Sequence, residues 1–314
     1  MNPALHFTIA PAGNAASSAP ATLTVVPTQF VIAGWTGRNA EAIEHHIQEL
    51  AALGIARPSQ VPLYYRASAA LLTTAPSIET LGLGASGEAE PMLLMAQGQW
   101  WLGLGSDHTD REIERYSVAV SKQMCAKPVA PTVWRWSEVQ NHQDQLQLQS
   151  EIWEGGQWVT YQKGLLSAIR PLQSLRDGFW PAGQAAEGSV MLCGTLGAIP
   201  NAQGKGIRWA EKMRLTLHDP VLNRRISALD SSLIPLSRLL AVAMTLNPRV
   251  AWVSWFNSGI GSVFSESSVI RLSCTSPGMR VSSSMRAIWP DSIASIIGLG
   301  TSARVEGPSA SRRA

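Results

Sequence analysis

The 314-residue chain carries 25 Lys and Arg against 22 Asp and Glu, a net charge of +3 with His neutral. So mild an excess makes no case for nucleic-acid binding, which needs a clustered basic face, and the length allows a large core in one domain or two. Three cysteines, far apart and odd in number, form neither a disulfide framework nor a metal spacing, which fits a reducing cytoplasm; no secretory start and no apolar run of membrane-spanning length is present.

Residues 5–10 are predicted to form a strand, followed by a flexible run of Ala and Ser, so residues 1–30 make an N-terminal segment. Residues 23–35, rich in Val, Ile, Thr and Phe, read as one or two strands. Thr36-Gly37-Arg38-Asn39 is a turn that can cap a helix, and the clearest helix of the chain follows over 39–53. Glu41 and Glu44 sit near its positive N-terminal end. Ile43, Ile47, Leu50 and Leu53 form one stripe. At roughly 100° per residue, His46 falls inside that stripe and Glu49 on its edge, while His45 points away. A histidine so placed is either a core side chain satisfied by a hydrogen bond or half of a working His–Glu pair.

Residues 62–72 contain Arg66, whose planar fork of donors suits a carboxylate and serves equally well in a surface salt bridge. The stretch from Ser86 to Lys122 concentrates the chemistry. Glu88 and Glu90 are two apart, so in a strand both carboxylates project from one face. Such a pair repels unless one member takes a proton or a cation lies between them. A hard divalent cation, which prefers oxygen ligands, resolves the conflict. The competing reading is an acidic hairpin edge facing water. After an alternating aromatic run, residues 92–104, Asp107 follows a Gly-rich strand end, from which a third carboxylate can turn back towards the pair. Asp110 and His108 are alternative ligands.

Residues 110–118 read as a short helix, and 134–148 as aromatic and amide-rich surface leading into a strand. Residues 153–161 read as a hairpin centred on Gly155-Gly156, and 161–176 as an amphipathic helix. Gly194-Thr195-Leu196-Gly197 is a Gly-rich turn after an apolar strand, where backbone N–H groups can meet an anion. Residues 207–225 read as two strand pieces joined at His218-Asp219-Pro220. Beyond about Ser227 the character changes: no Lys follows Lys212, Ser is abundant, acids are few and the apolar residues lose any sustained period. Residues 231–314 are therefore expected to be an atypical tail, frameshifted or disordered, with a packed lineage-specific extension as the other reading.

These motifs, in this order, resemble the fumarylacetoacetate hydrolase (FAH) superfamily. Ser106-Asp107-His108-Thr109-Asp110-Arg111-Glu112 is similar to its Asn-Asp-Val-Thr-Ala-Arg-Asp/Glu segment, and the upstream Glu88 and Glu90 to its Glu-x-Glu. His46-Ile47-Gln48-Glu49-Leu50 resembles the second half of its Asn-Tyr-x-x-His-x-x-Glu-Leu stretch, with Ala42-Ile43 in place of Asn-Tyr. Residues 62–72 resemble its Phe-x-Lys-Pro-Ser-Ser-Ala-Leu, with Arg66 where the Lys stands. Ser121-Lys122 with Cys125 and Pro128 resembles its Lys-Ser-Phe-Asp-Thr-Phe-Cys-Pro. Glu154-Gly155-Gly156-Gln157 resembles its Asn-Gly-Glu turn, and residues 187–195 its Pro-Gly-Asp-Val-Ile-x-x-Gly-Thr. The likeness covers about Val31 to Ile226 and is nearest a branch of uncharacterised bacterial FAH-like proteins. The segment between Glu90 and Asp107 is shorter than in most members, which carry a helix there.

The resemblance implies an α+β, β-rich fold over 31–230, a mixed β-roll or sandwich with a few flanking helices. It implies Glu88, Glu90 and Asp107 as ligands of Mg²⁺ or Mn²⁺, and His46 with Glu49 as a water-activating pair. Lys122 would face a developing oxyanion, and Arg66, Gly194 and Thr195 would bind substrate. The implied reaction is hydrolytic C–C cleavage of a small 2-oxo acid or 1,3-dicarbonyl compound resembling an acylpyruvate, in a homodimer. Decarboxylation, hydration or isomerisation on the same scaffold are alternatives, as is a non-catalytic protein.

Overall fold

The computed structural model describes residues 2–12, 21–52, 57–81, 84–181 and 183–235, with 268–269 and 286–287. Most of the expected tail thus lies outside the described residues. The chain divides into two compact units, Met1–Ala241 and Val242–Ala314. In the second, the described residues are a short pair, Ser268–Val269 antiparallel to Arg286–Ala287.

The first unit contains a larger sheet of eight strands. Their order is Ala21–Val25, Leu5–Ile9, Thr132–Arg135, Gln99–Ser106, Ala89–Ala96, Ser189–Leu192, Gln29–Gly34 and Leu63–Ala67. It is mixed: Leu5–Ile9 runs parallel to Thr132–Arg135, and Ser189–Leu192 parallel to Gln29–Gly34. A second sheet has the order Gln157–Leu165, Gln147–Glu154, Lys212–Asp219, Arg224–Pro235 and Ser77–Thr80, with the last two parallel.

Alternation with a period of two builds a core on each face of the larger sheet. Val31, Leu93, Leu102, Leu104 and Trp134 point one way and join Leu148, Ile152, Leu215 and Leu217 of the smaller sheet. Their neighbours in sequence, Phe30, Ile32, Met92, Leu94, Trp101 and Val133, point the other way and join Leu5, Phe7, Leu23 and Val25. Burial on both faces explains why these strands read as nearly continuous apolar runs. Each large side chain so buried contributes on the order of 1.5–3 kcal/mol. Short helices, Ala40–Ala52, Val118–Met124 and Leu172–Phe179, complete an α+β, strand-rich fold of the expected class.

Residues 161–176 do not form one helix. Residues 161–165 continue the strand Gln157–Leu165, and helix is confined to Leu172–Phe179, after Pro171. The stripe Leu166, Ile169, Leu172 and Leu175 is buried, as its spacing demands, but a 3-10 turn, Leu166–Ala168, delivers its first half. Pairing with Gln147–Glu154 outweighs the helical period there. Trp134 and Trp136 are core residues rather than surface. The strand pieces around His218-Asp219-Pro220 form the hairpin Lys212–Asp219 and Arg224–Pro235, and the second strand runs past residue 230 to pair with Ser77–Thr80. No helix among the described residues is long and apolar enough to cross a membrane.

Candidate metal centre

A tight hairpin assembles the site. Ala89–Ala96 and Gln99–Ser106 are joined by Gln97-Gly98, both at positive φ, 54° and 69°, which is the turn geometry whose twist suits a two-residue connection. The turn fixes the register: Ala96 lies opposite Gln99 and Ala89 opposite Ser106. One step beyond, the Asp107 N–H donates to the Glu88 carbonyl at 2.9 Å, so Asp107 stands across from Glu88. The short connection is therefore what delivers the third carboxylate. Glu88, Glu90 and Asp107 each offer one carboxylate oxygen, all within 4.8 Å of one another. Glu90 and Asp107 are buried, which removes the reading of a solvated acidic edge. Asp110 is not part of the cluster; its Oδ1 accepts the Glu112 and Ile113 N–H groups as a helix cap. His108 is also outside the cluster and fully buried. Burial first, and then the Lys127 charge, push its imidazole down to about 3, so it is neutral.

Three cations surround the carboxylates. The Lys122 ammonium donates to Asp107 Oδ2 and lies 3.9 Å from Glu88 Oε2. Lys127, wholly buried, donates to the His108 carbonyl, and its Nζ lies 2.9 Å from Asp107 Oδ1. Burial would raise the Asp107 carboxyl, but Lys122 and Lys127 together hold it down at about 2. The Arg111 guanidinium reaches Ser86 Oγ at 2.7 Å, Glu88 Oε1 at 2.9 Å and Glu114 Oε2 at 2.9 Å. Burial opposes the Lys122 charge, yet Asp107, Glu88 and Glu90 hold its ammonium above the usual lysine range.

Glu90 differs from its neighbours. Its Oε2 accepts the Gly194 N–H at 2.8 Å, and among the described residues no cation is paired with it. Burial, then the Asp107 and Glu88 charges, raise its carboxyl well above the usual range. A buried carboxylate crowded by two others and lacking its own counter-ion is what a bound divalent cation relieves, and an all-carboxylate donor set suits Mg²⁺ or Mn²⁺. The residues therefore fit a hard divalent cation. Gly194 must be glycine here: its φ is +90°, and a Cβ would lie 1.7 Å from Thr36 Oγ1. Thr195 donates to the Ala89 carbonyl at 2.8 Å, and Gln162 links the Ala89 N–H, Thr195 Oγ1 and the Leu196 carbonyl.

The family described as "Protein of unknown function (DUF2848)" matches residues 33–229. The chain belongs to this DUF2848 family. No curated protein matches it. Among solved structures it is similar to a 2-keto-3-deoxy-D-arabinonate dehydratase complexed with magnesium and 2,5-dioxopentanoate (12% identity, TM-score 0.47, 67% of this chain and 74% of that one). It is similar to a probable 2-hydroxyhepta-2,4-diene-1,7-dioate isomerase from Mycobacterium abscessus (12%, 0.45, 67% and 76%). A third is 4-oxalocrotonate decarboxylase from Pseudomonas putida G7, complexed with calcium and acetate (13%, 0.39, 65% and 76%).

In this DUF2848 protein the expected site residues divide. Glu88, Glu90, Asp107 and Lys122 come together, and Gly194 and Thr195 adjoin them through Glu90 and Ala89. Arg66 does not join them. It is exposed on Leu63–Ala67, where adjacent side chains face opposite ways; Tyr65 is the one whose ring approaches Lys122, at 5.8 Å. His46 and Glu49 lie on Ala40–Ala52, but their side chains are outside the described residues. Reading the sequence missed Lys127, Gln162 and Tyr65. For Lys127 a signal existed: lysine is scarce in this chain, and Lys122 and Lys127 fall five residues apart in an apolar setting.

Proposed function

We propose that this protein is a divalent-metal-dependent enzyme acting on a 2-oxo acid or 1,3-dicarbonyl compound resembling an acylpyruvate, with hydrolysis of a C–C bond as the reaction. The observation that carries this reading is the trio of Glu88, Glu90 and Asp107, with Glu90 and Asp107 buried and no cation paired with Glu90 among the described residues. These three carboxylates would hold Mg²⁺ or Mn²⁺, which would supply Lewis-acid polarisation of the substrate carbonyl. Arg111 fixes Glu88 through its Oε1, and Lys127 fixes Asp107, so neither carboxylate is free to turn away. Lys122 brings a permanent positive charge for a developing oxyanion. His46, oriented by Glu49, would accept a proton from water as that water attacks the carbonyl carbon. Thr195 and the Gly194 turn shape the end of the site next to Glu90. The motif resemblance to the FAH superfamily supports the same substrate class and leaves decarboxylation, hydration and isomerisation as variants.

One observation favours a second reading. Lys122, Lys127 and Arg111 already pair with Glu88 and Asp107. A cluster so balanced could be an internal ion network in a non-catalytic protein on this scaffold. Metal analysis of the purified protein, paired with a screen of 2-oxo acids including oxaloacetate and acylpyruvates, separates the two. Stoichiometric Mg²⁺ or Mn²⁺ with turnover supports the enzyme. Protein that takes up neither ion at millimolar concentration supports the network.

A further inference from the structure

A strained aromatic residue that the metal site does not require follows the strand Gln29–Gly34, which pairs with the strand carrying Tyr65. Trp35 leaves the strand Gln29–Gly34 with φ of 59°, in the left-handed region where bulky side chains are genuine outliers. Strain of this kind persists where the surroundings over-determine it, and it collects at functional sites. Both neighbours are locked. A Cβ on Gly34 would lie 2.9 Å from Tyr65 Cε2, so the Tyr65 ring rests on that glycine. On the other side, buried Thr36 fills the space where a Gly194 side chain would stand. A side-chain hydrogen bond ties Trp35 to Tyr65; the indole N–H is the donor and the phenol oxygen accepts. The Tyr65 ring in turn lies 5.8 Å from Lys122 Nζ, and Lys122 holds Asp107. The chain of contacts therefore runs from Trp35 through Tyr65 to the charged centre, while the Gly194 turn that packs on Thr36 donates to Glu90. Glycine at position 35 would meet the same backbone demand without strain. What the tryptophan adds is a large flat apolar face joined to Tyr65.

We propose that Trp35 and Tyr65 form an aromatic wall beside the carboxylate cluster that selects 2-oxo acids carrying a flat, apolar substituent. The proposal rests on the metal-site reading above. Flat rings recognise flat apolar groups by offset stacking, and a few convergent polar groups fix the orientation. The charged end of the ligand would lie towards Lys122, and its apolar end against Trp35.

Calorimetry on the Mn²⁺-loaded protein, with phenylpyruvate and pyruvate as probes, tests this. Wild type should bind phenylpyruvate about tenfold more tightly than pyruvate. Trp35→Gly should abolish that preference, leave Mn²⁺ and pyruvate affinities within about twofold, and keep or raise the melting temperature, because the backbone strain is relieved. Trp35→Phe should retain most of the preference. Equal weakening of both probes in Trp35→Gly, or a preference that survives it, overturns the wall. A wild type that binds Mn²⁺ and pyruvate without favouring phenylpyruvate also defeats the wall alone. A wild type that binds no Mn²⁺ defeats the metal site, and the wall with it.

Discussion

Two buried carboxylate centres sit in the first unit of this protein, and they are built differently. Asp219, fully buried at the Lys212–Asp219 hairpin turn, is closed: Oδ1 accepts the Val221 and Leu222 N–H groups, each at 3.1 Å, and lies 3.0 Å from His142 Nε2. Its Oδ2 accepts Arg224 Nε at 3.3 Å, and Arg224 continues to Glu138 and over the Trp134 ring. The Glu88, Glu90 and Asp107 centre is open: three carboxylates crowd together, and Glu90 has one N–H and no cation of its own among the described residues. A buried acid with every oxygen matched holds a turn in place. Acids buried together with one left short retain a capacity to bind something else.

Removing a partner should therefore act with opposite sign at the two centres. The largest effect belongs to Asp219→Ala, which leaves the Val221 and Leu222 N–H groups and Arg224 Nε without their buried acceptor; denaturant titration should show a loss of about 3 kcal/mol or more with Mn²⁺ affinity unchanged. Loss of Mn²⁺ binding without loss of stability in that variant would break the contrast. Next is Glu90→Gln. It should weaken Mn²⁺ at least about 100-fold by calorimetry while leaving the metal-free protein as stable, or up to about 1 kcal/mol more so, because a poorly compensated buried charge is gone.

Acid titration sharpens the same contrast. At Asp219 burial works upward, but the Leu222 N–H, His142 and Arg224 hold the carboxyl below its ordinary value. Its stabilisation is present above the ordinary carboxylate range, near ~4, and is lost as pH falls through the lower folded value. Glu90 is raised by burial and by Asp107 and Glu88. The native metal-free protein then binds more protons than the unfolded chain, so stability falls as pH rises from the ordinary range through the raised one. Asp219→Asn should flatten the acid limb of the stability curve, and Glu90→Gln the limb above it. The reverse assignment would overturn both. The smallest effect concerns the tail. We propose that residues beyond Leu236 contribute nothing to the metal site, on the strength of their Ser-rich, Lys-free composition. A chain ending there, which keeps the pairing of Arg224–Pro235 with Ser77–Thr80, should match the full chain within about 0.5 kcal/mol, the range of changes that touch no structural feature. Unfolding or loss of Mn²⁺ binding on truncation would sink this.

Much of the open centre was legible because its grammar is local. Two glutamates two apart share a strand face, and a Gly-rich strand end can turn a third carboxylate back towards them, so Asp107 was foreseeable as their companion. The turn at Asp219 was legible for the same reason, since turn chemistry acts over a few residues. Residues 161–176 misled because their apolar spacing satisfies a helix and a strand followed by a 3-10 turn alike; only pairing with the distant Gln147–Glu154 decides. Long-range partners were beyond reach on the same ground. That Lys127 faces Asp107, that Glu90 meets Gly194 rather than a cation, and that Tyr65 instead of Arg66 approaches Lys122 follow from which strands lie side by side. The amino-acid sequence determined which groups could bind a cation. The packing of sheets brought from distant segments determined how deeply each is buried and which charges it meets, and in a low-dielectric interior those two quantities set what a carboxylate can do.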